Sequence, residues 1–214
     1  IIIKDEKVNS GIIFDVVNKI AKKHGHSVIF FRTQRKKVNF SLGEKETDAT
    51  AWTNTWHPEN SNYIYTDSIL NMKNVFFFAG ENEFKFERIA DLYGKKIKTH
   101  IGYSYPQLEE VMQKGLIRRY DEYTEVDMLS KLIYSDGKFD AAILDERVGL
   151  WFLKKENFLS KFDIAQKSLS QYEYKIMFHN KWDSFVLFFN EELLKMKANG
   201  ELDKLINKYI DKVN

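Results

Sequence analysis

This sequence predicts an α/β fold arranged in two lobes, and three observations predict it. Short apolar runs of strand length alternate with segments whose apolar residues recur at helical spacing. Two such strand–helix units follow one another, and a long helical tail closes the chain. No internal repeat or low-complexity linker interrupts them, and the only prolines are Pro58 and Pro106. Alternation of this kind belongs to a sheet covered by helices.

The elements follow in order. Ile1–Ile3 is a short apolar strand or its tail, followed by the polar turn at residues 4–7. Gly11 precedes a helix in which Val16, Val17, Ile20 and Ala21 share one face, with Asp15 as a cap or first-turn acid. His24 and Gly25 end that helix, and Gly25 suits a left-handed cap. Val28–Phe31 reads as a buried strand, Gln34–Leu42 as a basic helix, and Asp48–Trp52 as a short strand. The run Val75–Phe78 centres another strand within Ile69–Ala79. A second unit begins near Ile89. Its parts are a strand at Lys96–Thr99, a loop at Ile101–Pro106 and a helix at Gln107–Lys114. A further helix carries Val126, Leu129, Leu132 and Ile133. The strand Ala141–Leu144 runs into a helix holding Val148, Leu150, Trp151 and Phe152, and Tyr172–Phe178 is a further strand. In the tail, Phe185, Phe188, Phe189 and Leu193 form one helical face. Asn199-Gly200 breaks that helix, and Leu202, Leu205, Ile206 and Tyr209 continue a second.

Composition narrows the function classes. Of 214 residues, 43% are hydrophobic and 30% charged, enough for an ordinary core and against wholesale disorder. Lys and Arg number 33 against 31 Asp and Glu, so the net charge of +2 gives no argument for nucleic acid or an anionic membrane. The absence of cysteine excludes disulfides, thiolate metal sites and a Cys nucleophile. No apolar run approaches the roughly 20 residues that span a bilayer. The chain opens at Ile1 without a basic leading stretch, so any signal peptide is expected to be absent from it.

No phosphate-binding glycine loop, dinucleotide fingerprint, HExxH helix or nucleophile elbow occurs. His24 and His26 stand two apart at a helix end, too little for a metal site, and His57, His100 and His179 are scattered. Asp145 and Glu146 are adjacent, so at a helix start they point apart and make a poor acid/base pair. No metal and no cofactor is expected.

Six fragments together resemble family 3 of the bacterial extracellular solute-binding proteins, the amino-acid-binding type with a type II periplasmic binding fold. Gly11–Ala21 is similar to the family's opening glycine, aspartate and "IAK" helix, and Asp48–Asn60 to its "D-A…T-x-E-R" segment. Tyr65–Ile69 resembles the "FS-x-P" strand entry, and Leu92–Ile97 with Ile101–Tyr105 the "L-x-G-K-x-V…G-T/S-S" stretch. Phe139–Asp145 resembles "x-D-A-x-x-x-D", and Phe189–Tyr209 the C-terminal "F-N…L…G…I…K-Y". The fragments stand in the family's order and cover nearly the whole chain. The resemblance implies two α/β lobes, each a mostly parallel mixed sheet flanked by helices, joined by two hinge strands. It places one lobe at residues 1–78 plus 179–214 and the other at residues 79–178. The family's first strand is normally complete before this chain's first residues, so that strand is expected to be incomplete or disordered.

The same resemblance assigns ligand roles. A cleft closing on a zwitterion needs a cation for the carboxylate, an acid for the ammonium, and hydroxyl or backbone groups for the remaining lone pairs. Asp145 matches the ammonium-binding acid; a helix N-cap is its other role, and the two coexist. Thr53 and Thr55 match positions that contact a carboxylate, or else they cap the turn before Pro58. Gly102, Tyr103 and Ser104 match the loop whose N–H groups bind an anion at a helix start, or else form an ordinary strand-to-helix turn. Trp52 and Tyr103 serve either as walls for a flat or cationic ligand or as core. Asn60 stands where the family has its carboxylate-gripping arginine. Asn lacks the charge and the fork, which points to a ligand without a free α-carboxylate or one that binds it weakly. Arg32 and Arg147, which match no family position, are the alternative cations, or else solvated surface arginines.

The implied function is capture of a small polar, amino-acid-like molecule in the periplasm for an ABC importer, without catalysis, by a monomer that engages a membrane permease. The alternative partner is a signalling protein, the chain then being the sensory domain of a transmembrane receptor. An enzymatic alternative, a cyclohexadienyl-dehydratase-like activity, would draw on Glu59, Asp145 and His100.

Overall fold

In the computed structural model, residues 3–5, 8–30, 47–53, 62–80 and 84–210 are described. In chain order the elements are β1 (Ile3–Asp5), β2 (Val8–Ser10), α1 (Ile12–Lys23), β3 (Ala49–Trp52), β4 (Tyr63–Tyr65) and β5 (Leu70–Ala79). Then come β6 (Lys96–His100), α2 (Pro106–Gln113), β7 (Arg118–Glu122), α3 (Glu125–Tyr134), β8 (Ala141–Asp145) and α4 (Glu146–Lys155). The last are β9 (Phe162–Ile164), β10 (Ser170–His179), α5 (Asp183–Ala198) and α6 (Glu201–Ile210). The chain divides into a first unit, Ile1–Asn71 with Glu173–Asn214, and a second, Met72–Tyr172. It passes from one to the other inside β5 and returns inside β10.

In the first unit, α1 buries Ile12, Ile13, Val16, Val17, Ile20 and Ala21, the face its spacing predicts. That face packs with α5 and α6. Polar ties fix the same helices across a long stretch of chain. The Tyr209 hydroxyl accepts the Gly11 N–H at 3.0 Å and donates to Asp15 at 2.6 Å, and the Lys208 ammonium reaches the same carboxylate at 2.8 Å. Lys19 pairs with Glu201, and Lys23 with Glu192 at 2.6 Å. The C-terminal strand β10 runs antiparallel to β3 and β4, with Ile176 opposite Ala51 and Phe178 opposite Ile64.

Gly25 adopts the left-handed conformation, φ +79°. Its N–H reaches the Lys22 carbonyl at 3.1 Å and the His26 N–H the Ala21 carbonyl at 2.9 Å, which is a Schellman closure. The strand expected at Val28–Phe31 does not form over residues 28–30. An apolar run becomes a strand only beside a ladder partner; here Ile29 is 75% exposed and Phe30 rests against Phe14. The helix expected at Gln34–Leu42 lies outside the described residues.

The second unit is built on β5. Its Val75 and Phe77 face one apolar cluster with Met128, Leu129 and Leu132 of α3, while Phe76 and Phe78 face another with Leu92, Ile97 and Leu108. A strand covered on both faces reads as a continuous apolar run, which is why Val75–Phe78 shows no alternation. Burying one Phe is worth about 1.5–3 kcal/mol, so this short run anchors the unit. β8 lies antiparallel to β5, with Val75 opposite Leu144 and Phe76 opposite Ile143. β6 runs parallel to β8 and β7 parallel to β6, and β9 pairs with the far end of β5. β7, with the sequence Arg-Arg-Tyr-Asp-Glu, carried no apolar signature; its backbone pairs all along β6 instead.

A lysine lies buried inside this unit. Lys98 is 3% exposed, its ammonium 3.7 Å from the Phe139 ring centre. It pairs with Glu122, which also accepts Lys131 at 2.6 Å. Burial works to raise the Glu122 carboxyl, but the two lysines outweigh it and hold the group below its ordinary value.

Gly149 sits mid-helix in α4, directly over the Phe77 ring: a Cβ there would come within 2.2 Å of Phe77 Cζ. An exposed helical Gly→Ala change gains about 1 kcal/mol. Here the clash dominates. Gly149→Ala is expected to destabilise the protein by about 1–3 kcal/mol in urea unfolding.

Candidate functional site

Because β6 and β8 run parallel, with Ile97 opposite Ala141 and Lys98 opposite Ala142, their C-terminal ends open on the same edge of the sheet. The loop 101–104 leaves one strand there and Asp145 ends the other. The C-terminal edge of parallel strands is where α/β sheets bind ligands.

Asp145 is 8% exposed. Its Oδ1 accepts the N–H groups of Arg147 at 3.0 Å and Val148 at 3.2 Å, capping α4. Its Oδ2 accepts the Lys73 N–H at 3.2 Å, a contact set by the register that places Asn74 opposite Asp145. Burial pushes the carboxyl above its ordinary value. The Val148 and Lys73 N–H groups and the nearby Arg147 charge oppose the rise without cancelling it. A carboxylate has about four acceptor positions, and three N–H donors meet this one. The group is thus pre-oriented and under-compensated in charge, a state that a cation relieves.

The 101–104 loop is held from below. Gly102 turns at φ +79° and is exposed, as are Tyr103 and Ser104. Tyr103 stacks on His100 with ring centres 4.3 Å apart. The Ser104 hydroxyl donates to Glu109 of α2 at 2.7 Å. Arg119 of β7 reaches the Tyr103 carbonyl at 2.9 Å and the His100 carbonyl at 3.3 Å, and donates from Nε to Asp121 at 2.8 Å. Asp121 also accepts the Thr99 hydroxyl at 2.7 Å. The guanidinium lies 5.6 Å from the ring centre of Tyr105. Arg119 therefore splints both ends of the turn. Sequence reading passed over it, and the only signal was a polar segment of strand length between two helices.

In the first unit, Trp52 is 2% exposed and packs with Met177 and against Tyr65, ring centres 4.5 Å apart. Its indole N–H has no partner among the described residues. Thr53 is wholly buried. Thr55 and Asn60 lie outside the described residues, as do Glu59 and Arg32. Arg147 is half-buried beside Asp145, with Nη1 3.9 Å from Met72 Sδ. Thus Gly102, Tyr103, Ser104 and Asp145 share one sheet edge of the second unit, and Trp52 and Thr53 belong to the first. No three His, Asp or Glu side chains gather into a metal-binding group among the described residues, and no described helix is long and apolar enough to cross a membrane.

Two outcomes follow. Arg119→Ala removes charged hydrogen bonds worth about 1.5 kcal/mol or more, so amide exchange at residues 101–104 should quicken about tenfold, and Arg119→Lys should not restore it. For Asp145, the raised carboxyl means the folded chain keeps its proton to higher pH than the unfolded chain does. Wild-type stability is therefore lost as pH climbs from 3.8 through the folded value. Asp145→Asn carries no such slope. Urea unfolding of the two proteins across that range should show the variant gaining on the wild type as pH rises, over a constant offset for the altered cap.

Comparison with known proteins places the family and the fold. Residues 1–212 match the family model for bacterial extracellular solute-binding proteins, family 3. The chain is 25% identical over 203 residues to the arginine-binding extracellular protein ArtP of Bacillus subtilis, covering 93% of this chain and 77% of that one. It is 24% identical over 208 residues to a probable histidine-binding protein of Campylobacter jejuni, covering 96% and 78%. A crystallised mutant of ArgBP from T. maritima superposes with a TM-score of 0.77 at 22% identity, over 98% of this chain and 90% of that one. With its mixed sheet in the second unit, its two units and a family match along nearly its full length, the chain belongs to the bacterial extracellular solute-binding proteins, family 3.

Proposed function

We propose that this protein captures a small polar solute of amino-acid type in the periplasm, as a monomer, and delivers it to the permease of an ABC importer. The family is one of binding proteins, and relatives of this chain are named for binding arginine and histidine. The observation that carries the reading is Asp145, a buried carboxylate fixed by three backbone N–H groups at the C-terminal edge of parallel strands. Its chemistry suits an ammonium or guanidinium. On this reading, Gly102, Tyr103 and Ser104 supply backbone and hydroxyl contacts beside it, and Trp52, Thr53, Thr55 and Asn60 are the contacts from the first unit. Asn60 has no charge to grip a carboxylate, so the solute's cationic end supplies most of the affinity.

The test is a thermal-shift and calorimetric screen of basic amino acids beside the amines that lack their carboxylate. A ligand at one hundred times its dissociation constant should add about 2.7 kcal/mol of stability. Asp145→Asn should weaken the best ligand at least about tenfold, 1.4 kcal/mol, and the decarboxylated amine should bind within about tenfold of its parent. A screen in which no cationic solute binds, or in which Asp145→Asn binds as well as wild type, refutes the assignment.

A further inference from the structure

We propose that His24 and His26 form a divalent transition-metal site at the C-terminal end of α1, separate from the solute site. Two residues of spacing would not by itself bring two imidazoles together. The structure does: His24 Nδ1 and His26 Nε2 stand 3.1 Å apart, with ring centres at 5.0 Å. Imidazole nitrogens bind Zn2+ at about 2.0–2.1 Å, so two neighbouring ligands stand about 2.9 Å apart at a right angle and about 3.3 Å apart at the tetrahedral angle. The observed separation falls between those limits. In the metal-free pair one nitrogen donates a hydrogen bond to the other. Metal binding needs the donor ring to move its proton to its other nitrogen and the rings to turn until both lone pairs aim at the ion instead of at each other.

The pair is built in advance. The Schellman closure fixes the backbone of His24-Gly25-His26 through the N–H groups of Gly25 and His26, and Gly25 at φ +79° makes the reversal that sets both rings on one side. Aromatic side chains hold the rings. Phe188 lies 4.5 Å from His24, Trp182 lies 5.3 Å from His26, and Phe185 meets both at 5.5 and 5.4 Å. The helix end also favours a cation, since its terminal carbonyls carry partial negative charge. Of the neighbouring positive groups, Lys23 is paired with Glu192 and Lys181 with Asp48. Two imidazoles select Zn2+, Cu2+ or Ni2+ over Mg2+ or Ca2+, with water completing the coordination.

The experiment is a titration of the whole chain with ZnCl2 in chelator-free buffer, followed by calorimetry and by histidine side-chain NMR. One equivalent should bind saturably, with the His24 and His26 signals shifting together, while MgCl2 leaves them in place. His24→Gln and His26→Gln should each weaken Zn2+ at least about tenfold through loss of one of two protein donors. Failure of wild type to bind Zn2+ saturably below the millimolar range overturns the proposal. So does Zn2+ binding by either variant at wild-type strength, or saturation that leaves the His24 and His26 signals unmoved. The NMR arm on wild type decides the matter even if a variant folds poorly.

Discussion

The antiparallel register of β5 on β8 is the constraint on which the second unit depends. Phe76 and Phe77, buried on opposite faces of β5, leave that strand no freedom to slip, because a one-residue shift would exchange the two faces and break both apolar clusters. The register puts Asn74 opposite Asp145 and delivers the Lys73 N–H to the Asp145 carboxylate. Phe77 in turn requires a residue without a side chain at position 149, so α4 lies close against β5. The carboxylate's position is thus a product of packing several residues away.

That placement gives Asp145 two jobs that support each other. As an N-cap it satisfies amide groups that the helix start leaves unpaired. As a carboxylate held out of water it is costly to ionise alone, and a cation nearby lowers that cost. A binding protein gains from a group already aimed, because little ordering is left to be done when the solute arrives. The Arg119 splint under residues 100–103 serves the same end for the adjoining loop.

Many charges of the described residues meet an opposite charge. Asp15 with Lys208, Glu192 with Lys23 and Lys195, and Glu122 with Lys98 and Lys131 form pairs and triads rather than a field of one sign. Most of these groups are at least partly exposed, where such pairs contribute little each. Their importance is in linking distant segments: Asp15 and Lys208, 193 residues apart, close the first unit's ends upon each other.

The sequence by itself determined the elements whose apolar pattern is periodic or continuous. The face of α1, the doubly covered run Val75–Phe78, and Ala141–Leu144 leading into a helix at Asp145 were all legible, because burial dictates residue type at those positions. Asp145's place at a strand end and its capping role were legible for the same reason. Only the tertiary structure decided the rest. β7 is polar and earns its strand state from backbone pairing with β6, which no composition reveals. Val28–Phe30 is apolar and yet is no strand, since a ladder needs a neighbour as well as a propensity. The burial of Trp52, the reach of Arg119 to two carbonyls, and the meeting of His24 with His26 each depend on side-chain directions and on backbone turns. Those are set by packing between segments, and a linear pattern of residues does not contain them.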